Sequence, residues 1–198
     1  MSAPTTRLVL GTTNPGKVAE LTMLLSGIEV VPRPPGMGDV AETADTLEGN
    51  ARLKSRAVCA AAGEAAVADD TGLEVDALDG APGVWSARFA GPDATDQQNV
   101  DLLLERLAGV AYRQRTARFR TVVVVTWPTG AELVVEGICR GRITTERRGD
   151  GGFGYDPVFE PDERPGQTFA TLDLGDKNAI SHRGRALAAL RRSLGLME

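Results

Sequence analysis

The stretch Ala117 to Trp127 is rich in β-branched residues, and after Pro128-Thr129-Gly130 a second such stretch runs from Glu132 to Cys139. Two long β-branched runs separated by a Pro/Gly turn predict an antiparallel hairpin. That hairpin constrains the fold, because its strands need apolar elements to cover them.

Those elements alternate. Leu8 to Leu10 is a short apolar run ending at Gly11, after which Val18, Leu21, Leu24 and Leu25 recur at helical spacing, so strand, loop and helix are predicted in turn. Ile28 to Val31 reads as a second strand. Thr46 to Ala62 reads as a helix whose Leu47, Ala51 and Val58 share a face with Asn50 and Lys54, and two polar residues on an apolar stripe point to a cleft. Ala65 to Ala68 reads as a buried strand running into Asp69-Asp70, Leu73 to Asp76 as another short strand, and Asp96 to Leu107 as a helix. A last helix starts at about Ser181, carries Leu187, Leu190 and Leu194, and stops at Gly195. Pro32 to Asp39 is a loop within the fold. The expectation is one mixed α/β domain over residues 1–198, with no separable linker and no internal repeat.

Composition narrows the function. Of 198 residues, 22 are Lys or Arg and 27 are Asp or Glu, giving a net charge of -5. This lacks the basic excess that drives binding to a phosphate backbone, so no nucleic-acid partner is expected. Cys59 and Cys139 are the only cysteines, which offers neither a disulfide framework nor a zinc ribbon and suits a reducing cytoplasm. The start MSAPTTRLVL has no long apolar core, so neither a signal peptide nor a membrane span is expected.

Four segments carry chemistry. Gly11 to Val18 (GTTNPGKV) satisfies GxxxxGK, in which backbone N–H groups and a lysine cradle phosphates at a helix N-terminus. Val18 stands where that motif needs Ser or Thr for Mg²⁺, so kinase- or GTPase-type chemistry is disfavoured and a metal must be held elsewhere. The plain alternative is a polar strand-to-helix turn. Asp69-Asp70 follows an apolar strand and offers hard oxygen ligands suited to Mg²⁺, although paired carboxylates also occur as solvated turns or caps. Glu42 and Glu48 are further acids, and Glu48 also fits a helix's acidic first turn. In GDGGFGYDPVF, Phe153 and Tyr155 stand two apart, so on an extended segment both rings face one side and can stack on a base; the alternative is a small satellite core. Lys177, Ser181, His182 and Arg183 gather donors able to read a base edge. Arg113, Arg115, Arg118 and Arg120 read as a solvated face, and Trp85 and Trp127 as packing.

Taken together, these segments resemble the inosine triphosphate pyrophosphatase family, which hydrolyses non-standard purine nucleoside triphosphates. The resemblance rests on LVLGTTNPGKVAEL, NARLKSRA, VADDTGLEVDALDGAPGVWSARFAG, GGFGYDPVF and KNAISHRGRAL, in the family's order and spacing. It implies an elongated twisted sheet with flanking helices and two lobes around a central substrate cleft. It also implies a homodimer and a Mg²⁺-dependent release of pyrophosphate from ITP, dITP or XTP. Thr12, Thr13, Asn14, Pro15, Gly16 and Lys17 match the triphosphate loop. Asp70 matches the proton acceptor and metal ligand, and Thr71 a substrate contact. Phe153, Gly154, Tyr155 and Asp156 match the base pocket, while Lys177, His182 and Arg183 match the remaining substrate contacts. Members commonly show ETGxTFxENA where this chain has ETADTLEGNA. Glu42 is the acid nearest the family's metal-ligating position, with Glu48 and Asp69 as fallbacks.

Two rivals remain at this point. A non-catalytic nucleotide or single-stranded RNA module would use Phe153 and Tyr155 as its platform, against the acidic charge. Maf-like pyrophosphatases usually begin with a serine- and arginine-bearing loop, unlike Asn14-Pro15-Gly16-Lys17.

Overall fold

The structure is a computed structural model that describes residues 6–196. The mixed α/β expectation holds. Among the described residues, seven strands form one sheet: β1 (Arg7–Leu10), β2 (Glu29–Val31), β3 (Ala66–Val75), β4 (Pro82–Gly83), β5 (Thr116–Thr126), β6 (Glu132–Ile143) and β7 (Phe159–Pro161). Five α-helices accompany them: α1 (Pro15–Leu24), α2 (Leu47–Ala62), α3 (Asp96–Arg106), α4 (Leu174–Ile180) and α5 (His182–Ser193). The sheet order is β2-β1-β3-β5-β6-β7, with β4 attached to β3. β1 pairs in parallel with both β2 and β3, and the β3–β4 and β6–β7 pairs are antiparallel.

The chain resolves into two compact units. Unit 1 is Met1–Asp70, Thr121–Gly137 and Arg183–Glu198, and unit 2 is Thr71–Arg120 and Ile138–His182. Unit 1 packs Leu8, Leu10, Leu21, Leu25, Val67, Val123, Val125, Leu187 and Leu190 into one buried cluster, so α1 and α5 bury the apolar stripes read from their spacing. Unit 2 buries Leu73, Val100, Leu103, Phe119, Ile143, Phe159 and Phe169. Its aromatic centre sets the Phe119 and Phe159 rings 4.7 Å apart, tilted by 60°.

Local chemistry explains the helix starts. Asn14 caps α1 by accepting from the Lys17 amide, with Pro15 at the first helical position. Thr46 caps α2 by accepting from the Gly49 amide, and Gly63 ends it in the left-handed region at φ 67°. At Gly11 the backbone passes so close to β3 that a Cβ would lie 2.6 Å from Ala68 Cβ, which explains the glycine where β1 ends.

Several expectations are corrected. Asp69 and Asp70 do not follow a finished strand: the two predicted strands are one, β3, with both carboxylates mid-strand and buried. The hairpin's second arm reaches Ile143 instead of Cys139. Its polar end is held by β7, and a Cβ on Gly141 would lie 2.2 Å from the Glu160 carbonyl oxygen. Arg115 is not on a solvated face, since it is buried and its guanidinium donates to the carbonyls of Leu107, Val110 and Thr144. Trp85 is 54% exposed, with Arg88 stacked 4.7 Å from its ring, whereas Trp127 packs on the unit 1 core as expected. No helix among the described residues is long and apolar enough to cross a membrane.

Candidate functional site

Unit 1 gathers a network of buried charge. Lys17, on the first turn of α1, places its Nζ 3.0 Å from Asp69 Oδ2. Arg183 is 1% exposed; its Nη2 lies 3.1 Å and its Nε 3.3 Å from the same oxygen, while its Nη1 reaches Glu20 Oε2 at 2.5 Å. Lys54, one turn beyond Asn50 on α2, bridges two acids: its Nζ donates to Glu42 Oε1 at 2.9 Å and to Asp70 Oδ1 at 2.8 Å. Three cationic side chains therefore meet four acidic ones.

The network sets the proton affinities. Burial pushes the Asp69 carboxyl up, but Lys17, Arg183 and Lys54 outweigh it and hold Asp69 well below the usual carboxylate range. For Asp70 the balance is reversed. Burial, with Glu42 adding to it, prevails over Lys54 and Lys17 and leaves the carboxyl above its ordinary value. Burial pulls Lys54 down, yet Asp70, Asp69 and Glu42 more than offset that, so it stays protonated. Burial leaves the Lys17 ammonium below its ordinary value despite Asp69. Adjacent carboxylates pushed in opposite directions are a mark of divided labour.

The candidate metal ligands separate by partner. Glu42 shares Lys54 with Asp70, Glu48 pairs with Arg52 at 2.6 Å, and Asp69 is held by Lys17 and Arg183. The Glu42 segment is fixed by α2: the buried Asn50 accepts from the Ala44 amide at 3.0 Å. No group of three or more His, Cys, Asp or Glu side chains able to hold a metal is found among the described residues. Thr12, Thr13 and Asn14 form the accessible turn before α1, where Thr12 Oγ1 accepts from the Asn14 amide at 3.2 Å, and Pro15 and Gly16 open the helix itself.

Unit 2 holds the second constellation. Asp156 Oδ2 accepts from the Phe153 amide at 2.9 Å and from Lys177 Nζ at 2.6 Å. Lys177 lies 4.7 Å from the Phe153 ring centroid, a cation–π contact. The aromatic segment is not extended. Gly154 turns it through φ 59°, Tyr155 enters the unit 2 core with its hydroxyl donating to the Ser86 carbonyl at 2.8 Å, and Phe153 stays outside that core, half-buried. His182 is buried with its ring stacked 4.5 Å from Phe119. Thr71 lies on β3, half-buried.

Glu20 and Lys54 were not among the sequence candidates. Lys54 was visible as a lysine on an apolar stripe. Glu20 left one signal, its place next to Leu21 on the buried side of α1.

The Ham1 family model matches residues 8–193. The chain belongs to the Ham1 family. A dITP/XTP pyrophosphatase of Desulforamulus reducens is 51% identical over 185 residues, covering 91% of this chain and 92% of its own. A dITP/XTP pyrophosphatase of Streptomyces coelicolor is 46% identical over 194 residues, covering 93% and 95%. Among solved structures, a HAM1 protein from Coxiella burnetii matches this Ham1-family chain with a TM-score of 0.85 at 39% identity, over 96% of this chain and 99% of that one. A nucleoside-triphosphatase / dITP/XTP pyrophosphatase from Mycobacterium abscessus matches with a TM-score of 0.73 at 44% identity, over 93% and 98%.

Proposed function

We propose that this chain hydrolyses non-standard purine nucleoside triphosphates, ITP, dITP and XTP, to the nucleoside monophosphate and pyrophosphate, clearing them before incorporation into DNA and RNA. The observation that carries the reading is the Lys54 bridge between Glu42 and Asp70, beside a GxxxxGK turn whose lysine is itself in the network. The names of the curated relatives support the same reaction.

The donor set fits Mg²⁺, which binds through one or two carboxylates together with substrate phosphates. Glu42 and Asp70 would hold it, at a seat where a cation, the Lys54 ammonium, already sits. When bound, Mg²⁺ neutralises phosphate oxygens and eases attack at phosphorus. Asp70 accepts the proton of the water that attacks the α-phosphorus. Lys17 and the amides of Thr12, Thr13 and Gly16 hold the departing pyrophosphate.

Base choice belongs to unit 2. Phe153 offers a stacking face and Lys177 a donor beside it. Hypoxanthine and xanthine present O6 as an acceptor to that donor, whereas adenine presents an amine, and a donor facing a donor is costly. Lys177 pairs with Asp156 but lies beside the Phe153 ring, whereas Arg183 is engaged by Glu20 and Asp69 in unit 1, so we assign O6 to Lys177. The test mixes protein and Mg²⁺ separately with ITP, XTP, dITP, ATP, GTP and TTP, and follows pyrophosphate and orthophosphate. Pyrophosphate from the first three, with little turnover of the others, is the expected result. Orthophosphate release, or tight binding without turnover, would overturn it.

A further inference from the structure

Phe153 and Gly154 sit in a loop whose successive amides are each met by a carboxylate. The Phe153 amide donates to Asp156, within the loop, at 2.9 Å. The Gly154 amide donates to Asp96 Oδ2 at 2.7 Å, across 58 positions of sequence. Asp96 is the first residue of α3, but the helix start does not depend on it: Thr95 and Gln98 form a complete capping box there. The same turn of α3 is anchored on both sides. Arg147 donates to the Gln97 carbonyl at 3.1 Å and to Asp101 at 2.8 Å, and Asn99 ties the helix to Ala87 and Ala90. The Asp96 carboxylate is thus a fixed acceptor aimed at a peptide that must adopt φ 59°.

We propose that Asp96 is a positioning residue for nucleobase recognition, holding the Phe153-Gly154 peptide so that the Phe153 ring keeps its place over Lys177. The proposal rests on the pyrophosphatase reading and deepens it. Asp96 touches no reacting atom; it acts through the Gly154 amide. A side chain reaching in from another element restrains the loop more firmly than one within it, because α3 is anchored independently.

The test compares Asp96→Ala with Asp96→Asn, which keeps an acceptor oxygen and removes the charge. For Asp96→Ala, KM for dITP should rise about five- to tenfold, as expected for losing one charge-assisted hydrogen bond at an accessible site. Its kcat should stay within about twofold, inhibition by inorganic triphosphate, which has no base, should be unchanged, and the Gly154 amide should exchange with solvent faster. Asp96→Asn should restore most of the KM. An unchanged KM in Asp96→Ala overturns the proposal. So does an equal loss towards inorganic triphosphate, or a fall in kcat that tracks a lowered Tm, because each makes Asp96 merely structural. Absence of dITP hydrolysis by the unmodified protein overturns the pyrophosphatase reading itself, and this role of Asp96 with it.

Discussion

Asp69→Asn changes one atom type in a side chain that is 1% exposed, and its effect can be worked from the geometry. Asp69 Oδ2 receives Lys17 at 3.0 Å and Arg183 at 3.1 Å. An asparagine there keeps the shape and one acceptor oxygen but removes the charge that holds Lys17 and Arg183. Breaking a buried ion pair by removing one partner costs about 3–5 kcal/mol. With an unfolding entropy of about 2.1 cal/mol/K per residue, 198 residues give about 0.4 kcal/mol/K, so Tm should fall by about 7–12 °C. Thermal melts by circular dichroism at pH 7 check this. The pH dependence supplies a second reading. Asp69 is held below its unfolded value, so its stabilisation is complete above the unfolded pKa of about 4 and is lost as pH falls through the lower folded value. Below about pH 5 the unmodified protein should therefore lose Tm more steeply than the variant. A drop under about 2 °C at pH 7, with parallel acid limbs, would mean that burial costs cancel the ion pairs, and the reasoning would be refuted.

Other outcomes follow from neighbouring contacts. Asp70→Asn should lower turnover by about 10²- to 10⁴-fold; near-native turnover would remove Asp70 as the base. Lys54→Met should tighten Mg²⁺ binding measured by calorimetry without substrate, because the lysine holds the same two carboxylates; weaker binding would show that it assists the ion. A Cβ on Gly49 would lie 2.5 Å from Ala44 Cβ, so Gly49→Ala should destabilise alone and become neutral or stabilising by up to about 1 kcal/mol in an Ala44→Gly background. Additive denaturant midpoints would contradict that contact.

Much of this was legible in the chain. Periodicity located the main helices and the hairpin, since Leu187 and Leu190 or Val123 and Val125 are placed by burial alone. Ordered motifs located the candidate site residues, and the loop before α1 announced its own turn through Asn14 and Pro15. The errors share a cause. Arg115 looked solvated because backbone carbonyls satisfy it, those of Leu107 and Val110 nearby and of Thr144 far along the chain, and a side-chain pattern does not register them; β6 looked shorter because β7, which holds its polar end, leaves no periodic signal. The continuity of β3 through two aspartates is equally invisible locally: Lys17, Arg183 and Lys54 make burial of those charges tolerable, and they come from three separate helices. The Ala44 and Gly49 departures from the family pattern, by contrast, become one event once their contact is known: a methyl group present at one position requires its absence at the other.

The chain passes between the two units after Asp70, Arg120, Gly137 and His182, and the last of these divides a dipeptide whose histidine stacks in one core while its arginine is buried in the other. Neither unit is a contiguous piece of the gene. No single cut through the chain releases either unit whole, and a single crossover that exchanges Phe153 and Lys177 but keeps Lys17 and Asp70 also exchanges Arg183, which belongs to the other unit. A single crossover of that kind therefore divides the unit that holds the Lys17, Asp69 and Arg183 network, whereas substitution in place leaves it intact.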